Sequence, residues 1–314
     1  MMKNYLFVFL IIAYGSLFGQ NVPQQKLMAV TVDDLLINGP DKDLETIETM
    51  TINLLNKFRK ENIEAVGFVN EAKLYTNDET EKRTALLKMW LDYGMDLGNH
   101  TYSHVSMHDV SLKEYEENLL KGEVVTKKLL SGEGKSMRYF RHPYLRTGES
   151  IETKKEFNTF LTDRGYTIAP VTIENSDWYF ANIYRRAIAN SDSTTMKIVT
   201  EAYLQFTKDV IEYGELLSKK LFGRQIKHVF LIHANELNAD CFEQVAEIIK
   251  NNDYGFTTLE DALNDEAYKL PDNFVGKYGP IWTQRWALDK GMKDIVKLEP
   301  EIPASIRELY DSYK

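Results

Sequence analysis

The chain has 314 residues, 43% of them hydrophobic and 27% charged, the composition of a globular protein with room for one substantial core. A formal net charge of -9 excludes a nucleic-acid backbone as the main partner, because that binding needs clustered Lys and Arg. The single cysteine, Cys241, excludes an intrachain disulfide, and with no activating neighbour it reads as a buried structural residue.

In chain order, residues 1–20 come first and differ from the rest. Lys3 precedes an apolar run from Tyr5 to Tyr14, followed by Gly15, Ser16 and Gly19 before the polar Gln20-Asn21. That order predicts a secretory signal peptide over residues 1–20 and a mature protein that is secreted or held in the periplasm or cell envelope. The run is too short for a stable membrane span.

From Lys26 onward, short β-branched or apolar runs alternate with longer helical patterns. The predicted strands are 27–32, 65–69, 96–98, 137–140, 167–173, 228–232 and 255–258. Between them, 44–60, 82–93, 112–130, 151–164, 195–221 and 239–251 carry apolar residues near a 3.6-residue spacing. Such alternation predicts an α/β fold with a parallel sheet, open or closed into a barrel, over residues 26–264. Residues 265–314 hold Pro271, Pro280, Pro300 and Pro303 between short helical pieces and read as a small C-terminal helical appendage.

Polar chemistry gathers at the predicted strand ends, where loops of parallel α/β folds converge. Successive strands lead to Asp33-Asp34, to the run from Asn99 to His104, to Arg141-His142-Pro143-Tyr144, to the run from Glu174 to Trp178, and to His233. His100 and His104, four apart, would face one way on a helical turn and grip one ion. Two adjacent carboxylates after an apolar strand repel one another in a half-buried site, and a divalent cation relieves that cost. Two histidines and one aspartate also leave room for water, the pattern of a catalytic metal site.

Thr31-Val-Asp-Asp34, His100-Thr-Tyr-Ser-His104, Arg141-His-Pro-Tyr144, Asp177-Trp178 and Leu231-Ile-His233 appear in the order of the five motifs of the polysaccharide deacetylase (NodB-homology, carbohydrate esterase 4) family. The chain resembles that family from Leu27 to Asp261. The resemblance implies a distorted (β/α) barrel of about seven parallel strands, in agreement with the strand-like runs above. It implies hydrolytic removal of acetyl groups from N- or O-acetylated carbohydrate polymers such as peptidoglycan, chitin or acetylxylan. Asp34, His100 and His104 would hold one divalent metal ion, usually zinc, with cobalt or nickel as alternatives. Asp33 would be the general base, paired with Arg141, and His233 the general acid. The Tyr144 N–H would stabilise the oxyanion, while Leu231 and Trp178 would wall the acetyl pocket.

The chain also departs from the family. Leu35 stands where the family has Gly after the aspartate pair, so the first loop must differ. Glu174 stands at the acidic position that tunes the catalytic histidine, and either Glu174 or Asp177 would do that work. His142 is read as lining the groove, His108 as facing solvent rather than mimicking a fourth ligand, and His228 as structural. Trp282 and Trp286 are read as packing the appendage on the barrel, with stacking on sugar rings as the alternative. Two other functions stay open: hydrolysis of a small linear or cyclic amide, and carbohydrate binding without catalysis, which intact Asp33 and His233 oppose. Oligomeric state and the particular polymer are left open.

Overall fold

A computed structural model describes residues 25–313; the predicted leader over residues 1–20 lies outside them. The chain runs β1 (Lys26–Leu35), α1 (Leu44–Lys60), β2 (Val66–Val69), α2 (Thr80–Asp92), β3 (Asp96–Asn99), α3 (Leu112–Lys121), α4 (Val124–Gly132), β4 (Tyr139–Phe140) and α5 (Ile151–Asp163). It continues through β5 (Thr167–Ile168), β6 (Ile173–Glu174), α6 (Asp177–Ala189), α7 (Ser193–Phe222), β7 (His228–His233), α8 (Glu236–Asn251), β8 (Tyr254–Thr257) and α9 (Leu259–Leu263). The appendage holds α10 (Trp282–Asp289), α11 (Lys293–Val296) and α12 (Ala304–Ser312).

The sheet has strand order β5-β4-β3-β2-β1-β7-β6, with β8 also paired to β1, and every pairing is parallel. Parallel strands need long crossovers, which the intervening helices supply. β1 lies at the centre because its Leu-Met-Ala-Val-Thr-Val run is covered on both faces and bonded on both flanks. β7 runs along one flank, while β8 pairs with residues 26–29 and β2 with residues 31–35. The result is a curled, distorted (β/α) barrel with C-terminal helices, as the sequence predicts.

Three local departures matter for the site. The predicted strand 167–173 is two short strands, because one segment serves two neighbours in turn. The Thr167 N–H donates to the Arg138 carbonyl at 2.7 Å and the Ala169 N–H to the Phe140 carbonyl at 2.8 Å. Beyond Pro170, which has no N–H to give, the Thr172 N–H donates to the Val229 carbonyl at 3.0 Å. The segment thus bonds β4 first and β7 next, closing the curl across a seam. The predicted helix 112–130 breaks at Gly122, where a Cβ would come within 2.6 Å of the Tyr102 N; the loop carrying His104 crosses there. A helix not read from sequence, α6, starts at Asp177 itself.

The appendage seals the seam. The first turn of α10 donates its unpaired backbone groups outward: the Trp282 N–H reaches the Val171 carbonyl at 2.7 Å. Trp282 and Trp286 are buried in a cluster with Val171, Leu217 and Leu231. Each such ring buries roughly 150–250 Å², on the order of 4–6 kcal/mol at about 25 cal/mol per Å². Both indoles pack the appendage onto the barrel, and neither is a free stacking platform. Further along, Ile306 of α12 is buried and Tyr310 stacks on Tyr179 of α6 at 4.1 Å between ring centroids.

Candidate metal centre and active site

Alternation along a strand would turn Asp33 and Asp34 to opposite faces. A bulge prevents this. Val32 pairs with Gly67 and Leu35 with Val69, so three steps on β1 oppose two on β2. Asp34 takes the left-handed φ of 66° that the extra residue requires, and both carboxylates line the same cavity. Leu35 fits without the family's glycine because Gly67 lies opposite: its missing side chain makes the space that Leu35 Cδ1 fills.

His100 and His104 reach the same point by a different route from the one the spacing predicts. The stretch between them is not helical; Thr101 and His104 have φ of 63° and 56°, and the Thr101 N–H donates to Asn99 Oδ1 at 2.7 Å. His104 Nε2 lies 3.3 Å and His100 Nε2 3.7 Å from Asp34 Oδ1. Among the described residues, these three offer ligand atoms within 4.8 Å of one another.

The donor set fits a divalent ion. Ligands at about 2.0–2.1 Å from a tetrahedral ion lie roughly 3.3 Å apart. Asp34 Oδ1 is buried without a hydrogen-bond partner, while Oδ2 accepts from Asn38 Nδ2 at 2.7 Å. His100 Nδ1 lies 2.8 Å from the Arg141 carbonyl, which can only accept. The proton therefore sits on Nδ1, and the Nε2 lone pair points into the site. Burial depresses the pKa of both imidazoles and keeps them neutral. Burial opposes ionisation of Asp34, but the Lys73 ammonium, with the charged His233 behind it, outweighs burial and holds the carboxyl well below the usual range.

On one side of this set stands Asp33. Arg141, fully buried, donates from Nη1 to its carboxylate at 3.3 Å and from Nη2 to Thr31 Oγ1 at 3.0 Å. Burial pushes the Asp33 carboxyl up to about 6, with Arg141 and His233 pulling against it. On the other side stands His233, paired in register with Asp33 across β1 and β7. Its Nδ1 lies 2.7 Å from Asp177 Oδ1, which leaves Nε2 free. Burial would lower this imidazole, but Asp177 overrides it and raises the pKa to about 10. Asp177 is itself fixed by the His233 N–H at 2.7 Å, by Asn235 Nδ2 at 2.8 Å and by Asn238 Nδ2. Of the two acids offered by the sequence, the one bonded to His233 is Asp177. Glu174 instead accepts the Ser176 N–H at 2.8 Å, and burial raises its carboxyl to about 7.

The loop after β4 carries Tyr144. Tyr144 and Leu145 both adopt left-handed backbone, with φ of 57° and 53°. Two such non-glycine residues in succession cost about 1–3 kcal/mol each and persist only where the surroundings enforce them. The Leu145 N–H donates to the His142 carbonyl and the Arg146 N–H to the Pro143 carbonyl; neither bond uses the Tyr144 N–H. The Tyr144 ring meets His104 edge-on at 4.5 Å and is 56% exposed at the rim. Trp178, 45% exposed, stands on the rim as well, while Leu231 is buried in the wall. Together these groups bound a cavity of about 610 Å³.

Some histidines take other places. His142 does not line the groove: it is buried, stacked on Tyr115, with Tyr115 Oη 3.2 Å from Nδ1. It follows the inward-facing Arg141 and is carried behind the loop into the aromatic packing around Phe140 and Phe157. His108 is half-buried, and its Nε2 accepts the Gly148 N–H at 3.1 Å. His228 is buried against Thr172, and burial pushes the Cys241 thiol up to about 12. Sequence reasoning missed Asn38 and Lys73, whose Nζ donates to the Asp34 carbonyl at 3.0 Å and the Ile37 carbonyl at 2.8 Å. It also missed Asn235 and Asn238. No local pattern marks any of the four.

Residues 20–160 match the family model described as polysaccharide deacetylase. Over 151 residues the chain is 27% identical to the peptidoglycan-N-acetylglucosamine deacetylase of Bacillus cereus, a match covering 48% of this chain and 46% of that protein. The chain thus aligns with about half the length of that relative. A solved family 4 acetyl xylan esterase from Clostridium thermocellum, in complex with a cobalt ion, superposes with a TM-score of 0.50 at 21% identity, over 76% of this chain and 90% of that one. BA3943, a CE4 family pseudoenzyme from Bacillus anthracis, gives 0.51 at 16% identity, over 77% and 66%. At such identities the two structures establish a shared fold alone.

Proposed function

We propose that this chain, which belongs to the polysaccharide deacetylase family, is a metal-dependent hydrolase that removes N-acetyl groups from a carbohydrate polymer. The observation that carries this reading is the arrangement of one cavity: the set Asp34, His100 and His104, flanked by a buried carboxylate on one side and a charged imidazole on the other. A divalent ion held by those three residues, zinc first, with cobalt or nickel as alternatives, would supply Lewis acidity that polarises the acetyl carbonyl and activates water near neutral pH.

The remaining chemistry belongs to the chain. Asp33, mostly ionised at neutral pH, accepts the proton of the attacking water, and Arg141 keeps its carboxylate aimed. The Tyr144 N–H donates to the oxygen on which negative charge develops. His233, with Nδ1 engaged by Asp177, stays protonated at neutral pH and delivers the Nε2 proton to the departing nitrogen. An amine is a poor leaving group without that proton, and this favours an amide over an ester substrate. Leu231 and Trp178 enclose the acetyl methyl, and the exposed faces of Trp178 and Tyr144 suit sugar rings.

Peptidoglycan is the first substrate to try, since the Bacillus cereus relative is named for it. Residues 26–264 form the deacetylase unit in this reading, with 265–314 appended, and the Lys3 start with its apolar run supports export from the cytoplasm. The test is acetate release from peptidoglycan, chitin oligomers and acetylated xylan before and after chelation. Metal-loaded protein that frees acetate from none of them would sink the proposal.

A further inference from the structure

We infer that the appendage is a working part of the active site: Arg285 and Gly279 clamp the loop after β4 so that the Tyr144 N–H is held toward the cavity. The inference rests on the deacetylase reading above and assigns it a positioning residue outside the five motifs.

Tyr144 and Leu145 hold consecutive left-handed conformations without glycine, a state that relaxes unless held from outside. The turn's own bonds, from Leu145 and Arg146, leave the Tyr144 and Leu145 carbonyls uncommitted. Those two carbonyls face the appendage. Arg285 of α10, 1% exposed, donates from Nη2 to the Leu145 carbonyl and from Nη1 to Thr147 Oγ1 at 3.0 Å, both on that loop. Its Nε donates to the Pro280 carbonyl at 2.7 Å, and Asp272 Oδ2 accepts from Nη1 at 2.6 Å. The guanidinium lies over the Trp282 ring at 3.9 Å, and α10 is seated on the seam through the Trp282 N–H.

Gly279 closes the other side. A Cβ there would overlap the Tyr144 carbonyl oxygen and come within 2.6 Å of the Leu145 carbonyl carbon. Space, not backbone freedom, makes this position glycine. Arg285 touches no reacting atom and acts only through the loop it bonds at Leu145 and Thr147, which makes it a positioning residue. A planar fork reaches several acceptors at once; a lysine ammonium at that place cannot.

Misplacing one oxyanion donor weakens binding of the transition state more than binding of the substrate. R285A should therefore lower kcat roughly 10- to 100-fold, with KM and bound metal close to parent values. Added guanidinium ion should restore part of the rate, and R285K should not match the parent. G279A, which keeps the arginine but pushes on the Tyr144 carbonyl, should also lower kcat. K293A, on the exposed side of the appendage, should leave the rate unchanged.

Amide hydrogen exchange over residues 142–147 gives a second readout that needs no turnover. Exchange at Leu145 and Arg146, whose N–H groups the turn bonds, should be slow in the parent and faster in R285A and G279A. If both variants keep parental exchange, the clamp is disproved even in a protein that releases no acetate. If exchange quickens while kcat holds, or if kcat falls only in step with melting temperature and guanidinium rescues nothing, Arg285 is structural and the inference fails. Absence of acetate release by the parent, with exchange behaving as expected, would instead overturn the deacetylase reading. Should R285A fail to fold, G279A and R285K carry the same comparison.

Discussion

The two flanks of the cavity set the proton affinities of a buried carboxyl and a buried imidazole by opposite devices. On one side, Asp33 meets a buried guanidinium at 3.3 Å, yet burial still prevails and raises its carboxyl to about 6. On the other, His233 meets a buried carboxylate at 2.7 Å, and there the partner prevails over burial and raises the imidazole to about 10. Each pair joins an anion to a cation, but contact length and supporting bonds decide which effect wins. Asp177 is backed by two asparagines and a backbone N–H, so its charge is fully available to His233. Asp33 shares Arg141 with Thr31 and sits beside a second carboxylate. Unequal surroundings pull the two groups apart in proton affinity, which is what the proposed base and acid roles would require.

The largest effect should come from breaking what the flanks share. Alanine at Asp34, His100 or His104 leaves two ligands, too few to hold zinc firmly, and acetate release should drop to background. Chelation should do the same to the parent, reversibly. Elemental analysis on the assayed samples checks both; an alanine variant that kept metal and rate would remove that residue from the set.

Next come the flanks themselves. Asp33→Asn and His233→Ala should each cost on the order of 10²–10⁴ in rate, while metal content stays near the parent value. Loss of metal from either would make it a ligand instead. The pH profile should separate them. Asp33 must be ionised, so the rate rises as pH increases through about 6 or lower, a bound cation favouring the ionised form further. His233 must be protonated, so the rate falls as pH passes about 10.

A smaller effect sharpens the acid side. Asp177→Asn removes the charge that raises His233 and leaves the burial that lowers it, so the alkaline limb should move down by roughly one pH unit or more. Glu174→Gln should move it far less, because Glu174 bonds the Ser176 N–H rather than the imidazole. Equal shifts in the two variants would make Glu174 an equal partner in tuning. The smallest effect is expected at Asn38→Ala, which frees Asp34 Oδ2 and should weaken metal binding by about tenfold, read by calorimetric titration.

Much of this was legible without coordinates because it is local to the chain. Helix α1 falls over the span its apolar spacing predicts, started by Asp43, whose side chain accepts the Thr46 N–H at 2.9 Å. The apolar run before Asp33 read as a strand, and the strand ends delivered their polar groups to one mouth. Other features depended on partners far along the chain. The split at Pro170 follows from the need to bond β4 and then β7, a demand no window of residues contains. Leu35 in place of the family's glycine is tolerated through Gly67, and His142 is turned inward by the aromatic cluster behind it. The choice of Asp177 over Glu174 was made by the start of α6, which sets one carboxylate against β7 and leaves the other to a turn. The sequence by itself determined the residue types, their order and the local elements that carry them, since propensity and spacing act within a few residues. Tertiary structure alone decided the bulge that aims both aspartates, the tautomer of His100 and the hold of Arg285 on Leu145, since each is a contact between groups distant in sequence and is set by packing.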